Sequence, residues 1–340
     1  MHIISKSTAI LISLLTALVL AACGGGGGGG GVPGTNVPTA GVSITTSNAK
    51  PVSAAVLDSV DTVEGSTAGV GILTGVSVVS TTDGFNYPDF IVSQLNKLLS
   101  QDMLVGGNLS GVAISETYNC TSGTFNVTGN IADVNTLTAG DTLTISFSNC
   151  SDSGVVINGS MSMTFTQVSA GFDGFAPFTL GINVVMTNFS VNDSGYVIST
   201  NGDMSMLLSV DASGNESMQL SGSSLSSSAG GEAELLTNYA YDMMYSSAGA
   251  YSVTLQGTLA STKIDGSVSY TTITPFTGND YVGSGNPTGG ELHITTSADS
   301  SQAWLIAQPD GVNVQIDIDT DGDNTVDETV MTTWTELQSL

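Results

Sequence analysis

The sequence contains no arginine, only four lysines and two histidines, against 30 acidic residues. The net charge of −26 at pH 7 excludes nucleic acid as a partner, because such binding draws its affinity from lysine and arginine side chains that neutralise phosphates. Anionic lipid head groups would repel the chain for the same reason. The acids are spread along the sequence, which predicts a solvated, repulsive surface.

Groups that commonly carry catalysis are also scarce. The histidines are His2 and His293, too few for a zinc site made of histidines, and the sequence has neither a GxSxG elbow nor a CxxC motif. Because His293 lies between two apolar strand residues, we expect it on the exposed face of a strand. A carboxylate pair for glycoside hydrolysis stays open among 30 acids, but no spacing selects one. We therefore predict no enzymatic activity.

The front of the chain has the layout of a cleavable export signal. Lys6 precedes an uncharged apolar segment, residues 9–20, which ends in Leu20-Ala21-Ala22-Cys23 and a glycine run, residues 24–31. This resembles bacterial lipoprotein precursors, and the resemblance implies that Cys23 is lipidated and becomes the first mature residue. In the same family, a residue other than aspartate directly after the cysteine implies delivery to the outer membrane, and here that residue is Gly24. An uncleaved membrane helix is the alternative, but a span needs about 20 apolar residues.

We therefore expect three parts: a signal peptide at residues 1–22, a lipidated cysteine with a Gly-rich tether at residues 23–47, and a single β-rich domain at residues 48–340. Lipid chains would hold this domain on a membrane surface without spanning it. Hydrophobic residues make up 40% of the chain, which argues against disorder.

Two short helices are predicted near the start of the domain. The first covers about residues 49–62, with Asn48 as a possible cap and Val52, Val56 and Val60 on one face. The second covers about residues 88–104, where Pro88 opens a run with apolar residues at helical spacing. Membrane-surface binding is the alternative for this helix. Packing on a sheet is favoured because the run holds a single lysine.

From about residue 110 to 310 the apolar period is two, interrupted by Asn-Gly, Asp-Gly and Ser-Gly turn signals. This predicts a mainly β fold, a long antiparallel meander curling into a barrel-like or strongly curved sheet. Glycines recur inside these strands, where they typically mark bulges or bends. Residues 230–246 are compatible with a strand pair or a short helix.

Cys120 and Cys150 are the two cysteines that remain besides Cys23. In an exported protein an even pair predicts a disulfide, with two free buried thiols as the less favoured alternative. Such a link would join strands of the first part of the meander and stabilise the fold by roughly 3–4 kcal/mol.

Near the C-terminus an acidic loop interrupts two alternating segments, at residues 312–336. The acids and the glycine at its tip fit the spacing of a calcium loop, and the predicted ligands are Asp317, Asp319, Asp321, Asp323, Asp327 and Glu328. The flanking alternation, which includes Val330, Thr332 and Trp334, predicts a strand-loop-strand, so calcium would pin a hairpin. An acidic turn without metal is the alternative.

The order of these features resembles a group of uncharacterised bacterial lipoproteins that end in Thr-Trp-x-x-Leu, here Thr333 to Leu337. The group implies no activity. We expect a structural or macromolecule-binding role at the envelope, with a protein or a glycan as possible partner. The alternative is a carrier that holds a lipid or other apolar ligand inside the curved sheet, lined by adaptable methionines: Met161, Met163, Met186, Met204, Met206 and Met218.

Overall fold

The computed structural model describes residues 37–64, 112–132, 137–152, 155–169, 177–193, 195–279 and 285–340. The motif Leu20-Ala21-Ala22-Cys23, most of the predicted tether and the helix predicted at residues 88–104 lie outside the described residues.

A single antiparallel sheet of 14 strands makes up most of the fold, and the strands follow one another in chain order. This confirms the predicted meander. Residues 230–246 form one long strand with its flanking turns, so both alternatives for that stretch were wrong. The strands are β1 (Val112–Asn119), β2 (Ser122–Ile131), β3 (Thr142–Asp152), β4 (Val155–Val168), β5 (Phe178–Asp193), β6 (Tyr196–Val210), β7 (Glu216–Ala229), β8 (Glu232–Tyr245), β9 (Ala250–Ser261), β10 (Gly266–Asn279), β11 (Gly289–Thr295), β12 (Gln302–Ala307), β13 (Asn313–Asp319) and β14 (Glu328–Thr333).

The sheet is open, with β1 and β14 as its edge strands. Alternating apolar residues along the strands are buried on one face, which explains why period-two patterning was a reliable signal. The two described helices are α1 (Ala49–Glu64) and, after β14, α2 (Trp334–Gln338).

Helix α1 confirms the first predicted helix, but it is buried on more than the single apolar face that the sequence predicts. Between residues 51 and 59 only Pro51 is exposed and Asp58 is half-buried. The other side chains there are small or apolar, including Ala54, Ala55 and the fully buried Ser53. A helix that is apolar all round is one that the fold encloses.

The sheet curves around α1, which contacts β7, β8, β9 and β13 at once. Strands β7 and β13 are six positions apart in the sheet, or about 29 Å if it were flat. A helix with its side chains is only about 10–12 Å wide. The strands must therefore bend toward one another to reach the same helix.

The bending follows a row of β-bulges. Asn149, Asn188 and Asn238 have left-handed backbone angles, with φ of 47°, 48° and 49°. Each lies at a register shift, between β3 and β4, β5 and β6, and β8 and β9 respectively. Because a bulge bends its strand and increases the local twist, repeated bulges across neighbouring strands curve the whole sheet.

Both described lysines hold α1 in place. Lys50 Nζ lies 2.6 Å from Glu336 Oε1 on α2, and Lys263 Nζ lies 3.0 Å from Asp58 Oδ2. Burial disfavours the charge on Lys263, but Asp58 and nearby glutamates outweigh burial and raise the pKa of Lys263 above its ordinary value. The two ion pairs thus fix the first turn and the middle of the helix.

The C-terminal segment corrects one expectation. Trp334 was predicted to continue the strand alternation, but it begins α2, whose N-cap Thr333 accepts a hydrogen bond from the backbone N–H of Glu336. Trp334 is fully buried and packs edge-on against Phe276 at a centroid distance of 6.1 Å. Neither described helix is long and apolar enough to cross a membrane.

A disulfide joins Cys120 and Cys150, with their Cα atoms 5.4 Å apart, as the sequence predicts. Cys120 lies in the turn between β1 and β2, and Cys150 lies in β3, so the bond attaches the hairpin at the edge of the sheet to the third strand.

Candidate metal centre

The acidic loop connects β13 to β14 and brings three of its carboxylates together. Ligand atoms of Asp319, Asp321 and Asp327 all lie within 4.8 Å of one another. Asp319 is the last residue of β13, while the other two belong to the loop at residues 320–327. The hairpin ladder positions this loop, since Ile318 pairs with Glu328 directly beneath it.

Asp319 is the anchor of the group because its side chain is fully buried. Its carboxylate accepts hydrogen bonds from Gln302 Nε2 at 2.8 Å, from the Gly322 N–H at 2.6 Å and from the Asn324 N–H at 2.8 Å. These bonds, that from Gln302 foremost, lower the pKa of Asp319 below its ordinary value in spite of burial. The group is therefore a carboxylate at neutral pH.

Asp327 and Asp321 complete the cluster from the exposed side. Thr320 donates both its side-chain hydroxyl and its backbone N–H to Asp327 Oδ2, at 2.6 and 2.8 Å. These bonds lower the pKa of Asp327, although the nearby charge of Asp319 opposes them. Three carboxyl groups thus converge on one side of a tight turn, where repulsion between their charges is a cost that a cation would relieve.

The other three predicted ligands do not join this cluster. Asp317 lies within β13, where Gln315 and Thr329 donate hydrogen bonds to it. Asp323 accepts bonds from the backbone and hydroxyl of Thr325 within the loop. Glu328, at the start of β14, accepts a hydrogen bond from Thr46. The sequence therefore predicted the acidic loop, but only three of its six candidate ligands lie close together.

A polar network behind Asp319 was not predicted. Gln302, 7% exposed at the start of β12, donates to Asp319 and approaches His293 Nε2 through its Oε1 at 2.8 Å. Because the carboxylate can only accept, the amide of Gln302 has one orientation, and the proton of this bond resides on His293 Nε2.

His293 is not the exposed strand histidine that the sequence indicates. It is half-buried and stacks on Trp304, with ring centroids 4.9 Å apart and planes 7° apart. The two residues are direct cross-strand partners on β11 and β12. No local signal marks Gln302 or this stack, because both depend on the register between strands.

The donor set of the cluster consists only of carboxylate oxygens, the ligands that hard cations prefer. A triad of this kind could hold a metal ion. The surrounding contacts are hydrogen bonds that fix the loop.

A groove of about 500 Å³ lies at the opposite end of the sheet, between the β6–β7 and β8–β9 turns. It is open to solvent, and although most of its lining residues are polar, apolar atoms supply the larger part of its lining surface. The lining residues include Ser209, Asp211, Asn215, Glu216, Met244 and Tyr245. Asp211 and Asn215 bond to each other and to neighbouring backbone groups, so they stabilise the turn that forms the groove.

Comparison with known proteins identified no relative: no family model, curated protein or solved structure matches this chain.

Proposed function

We propose that this protein is a lipid-anchored envelope protein of the outer membrane, attached through Cys23, whose folded domain has a structural or macromolecule-binding role and no catalytic activity. The observation that carries the anchor is the lipobox, Leu20-Ala21-Ala22-Cys23, followed by a glycine run. The domain contributes a rigid acidic body, since its sheet curves around α1 and its surface carries most of the net charge of −26.

Packing of the inner face supports this role over that of a carrier. A carrier needs apolar lining that remains accessible to a ligand. The six methionines considered for such a lining are 1–8% exposed, so they belong to a packed core. The described groove is open to solvent, which also fits a surface contact better than the enclosure of a lipid.

Calcium is the cation we propose for the acidic triad. Calcium accepts six to eight oxygen ligands in flexible geometry, so three carboxylates with backbone carbonyls and water would suffice. Its role would be to hold the β13–β14 turn against β12, because the buried ligand Asp319 is already bonded to Gln302. Magnesium demands stricter octahedral geometry and gives up its water reluctantly, which makes it the weaker candidate.

The anchor is tested by mass spectrometry of the protein extracted from the envelope of a bacterial host. An acylated N-terminal peptide beginning at Cys23 is expected, and Cys23→Ser should abolish both acylation and membrane recovery. An intact signal segment on the mature wild-type protein would refute the anchor. Mass in excess of the anchor, matching a lipid, would revive the carrier reading.

The cation is tested by calorimetric titration of calcium into the chelator-treated protein. Asp319→Asn and Asp327→Asn should each weaken binding at least tenfold, since each removes one of three carboxylates. Asp323→Asn is the matched control in the same loop, because Asp323 bonds to Thr325 and lies outside the triad. Equal losses in all three variants would mean that the triad is wrongly assigned. No heat and no stabilisation by calcium in the wild type would refute the site.

A further inference from the structure

The chain enters the folded domain across one end of the sheet, through a segment that we call the strap, residues 40–48. The folded part therefore begins before residue 48, where the sequence predicted its start. The backbone of the strap makes two hydrogen bonds to the start of β10. The Val42 N–H donates to Ser267 O at 3.2 Å, and the Ser267 N–H donates to Ala40 O at 2.8 Å. Further on, the Ile44 N–H donates to Ser301 Oγ at 2.8 Å, just before β12. Thr46 then bonds to Glu328, the first residue of β14.

Packing fixes the strap in this place. Ile44 is 1% exposed. Gly41 lies so close to the turn between β11 and β12 that a Cβ atom there would approach the backbone nitrogen of Ala298 to 2.4 Å. The strap therefore crosses the starts of three strands and has little freedom to detach while the domain is folded.

The strap and the acidic loop occupy the same end of the sheet. In an antiparallel meander every second turn lies at the same end, so the turns after β9, β11 and β13 are together. The acidic loop is packed on this end, since a Cβ on Gly322 would come within 2.1 Å of Ser300. The groove between the β6–β7 and β8–β9 turns lies at the opposite end.

We propose that the strap end of the domain is the surface that faces the lipid head groups, and that the groove end points away from the membrane. This inference rests on the proposed anchor at Cys23. Thirteen residues lie between Cys23 and Val37, the first described residue. Even fully extended they reach no more than about 50 Å.

The dimensions of the sheet make the two ends distinguishable. Strand β5 has 16 residues, which corresponds to about 53 Å. The strap end is held within reach of the bilayer, while the far end is displaced by up to one strand length. The acids at the strap end include Asp265, Asp299 and the triad, so a zwitterionic head-group layer fits this surface better than an anionic one.

Two matched labelling variants test this orientation. Ala298→Cys places a label in the exposed β11–β12 turn at the strap end, and Ala212→Cys places one in the exposed β6–β7 turn at the groove end. The acylated full-length proteins are donor-labelled and reconstituted in phosphatidylcholine vesicles that carry acceptor-labelled head groups. Energy transfer should be at least twofold more efficient from position 298 than from position 212.

The outcomes separate the orientation from the anchor. Equal or reversed transfer in protein that floats with the vesicles overturns the orientation and leaves the anchor intact. Protein that carries no acyl chain and does not float overturns the anchor and with it the orientation. Cys23→Ser in each labelled variant gives the transfer expected without attachment, and thermal unfolding of both labelled proteins confirms that the turns tolerate the change.

Discussion

Removal of the disulfide should destabilise the protein by about 3.6 kcal/mol at 25 °C, because the bond closes a loop with a sequence separation of 30 residues. The change is the double variant Cys120→Ala/Cys150→Ala, which leaves no unpaired thiol. This figure comes from the entropy that the cross-link removes from the unfolded chain. Loss of the two sulfur atoms adds to this figure mainly at Cys150, which is 8% exposed, since Cys120 is half-buried.

The structure offers probes at the other side of the sheet. Trp304 lies in β12 and Trp334 in α2, whereas the disulfide attaches β1 and β2 to β3. If the domain unfolds as one unit, urea denaturation monitored by tryptophan fluorescence should show the full decrease in the free energy of unfolding. If the edge hairpin opens separately, fluorescence should change little while amide exchange accelerates in β1 and β2.

Reduction of the wild-type protein is the control, and it should reproduce the behaviour of the double variant. A loss below about 1 kcal/mol, with exchange in β1–β3 unchanged, would refute the reasoning, because neither the global nor the local effect of the cross-link would then exist.

Three further predictions concern other contacts. Gly222→Ala should cost about 1–3 kcal/mol in urea denaturation, because its Cβ would lie 2.4 Å from Asp203 O and from Tyr239 Oη; Gly289→Ala, whose nearest neighbour would be 3.5 Å away, should stay within about 0.5 kcal/mol. Lys263→Met should lower the free energy of unfolding by roughly 0.5–1 kcal/mol, a small value because the lysine side chain is still 29% exposed to solvent. High salt should reduce this loss, and a loss of the same size at high salt would contradict an ionic origin. The free energy of unfolding should fall on acidification below about pH 4, because the pKa values of Asp319 and Asp327 are lower in the folded state than in the unfolded state. The stabilisation by these two carboxylates is complete above the unfolded pKa and is lost as the pH falls through the folded pKa. A melting temperature that stays constant from pH 5 to pH 2.5, in roughly constant salt, would contradict that sign.

The strand alternation made the meander predictable, because each strand packs one face and solvates the other. The end of β14 shows where that signal fails. Thr332 and Trp334 continue the period of two, yet Thr333 with Glu336 three residues later is also a helix-start signal. The helix prevails because it buries Trp334 against Phe276 and brings Glu336 to Lys50, contacts that no local pattern reveals.

The acidic loop was predictable as a loop, but its ligands were not. Spacing treats Asp317 and Asp319 alike, since both lie on the same side of β13. Asp317 lies inside the β13–β14 ladder, opposite Thr329, whose hydroxyl donates a hydrogen bond to its carboxylate. Asp319 lies where the ladder ends, so the turn can fold its N–H groups onto the carboxylate. Strand geometry, and not the count of acids, decides which side chains converge.

The curvature of the sheet has a sequence origin that becomes visible only in three dimensions. The bulged asparagines are unequally spaced, at positions 149, 188 and 238, so they do not read as a repeat. Strands of different lengths bring them into one row across the sheet. At Gly202, opposite the bulge at Asn188, φ is +139° and a Cβ would approach Ser224 O to 2.1 Å, so the strands can meet this closely only without a side chain.

That row of bulges links local chemistry to the proposed role. Bending brings β7 and β13 onto α1, and the same bending buries the methionine-rich inner face. A flatter sheet would leave that face open to an apolar ligand. The bulges, the strap and the lysine pairs all hold the curved sheet against its helix, so the inner face is packed although the sheet itself is open. Under the proposed function, a partner would therefore be bound at the exterior of the domain and not inside the curved sheet.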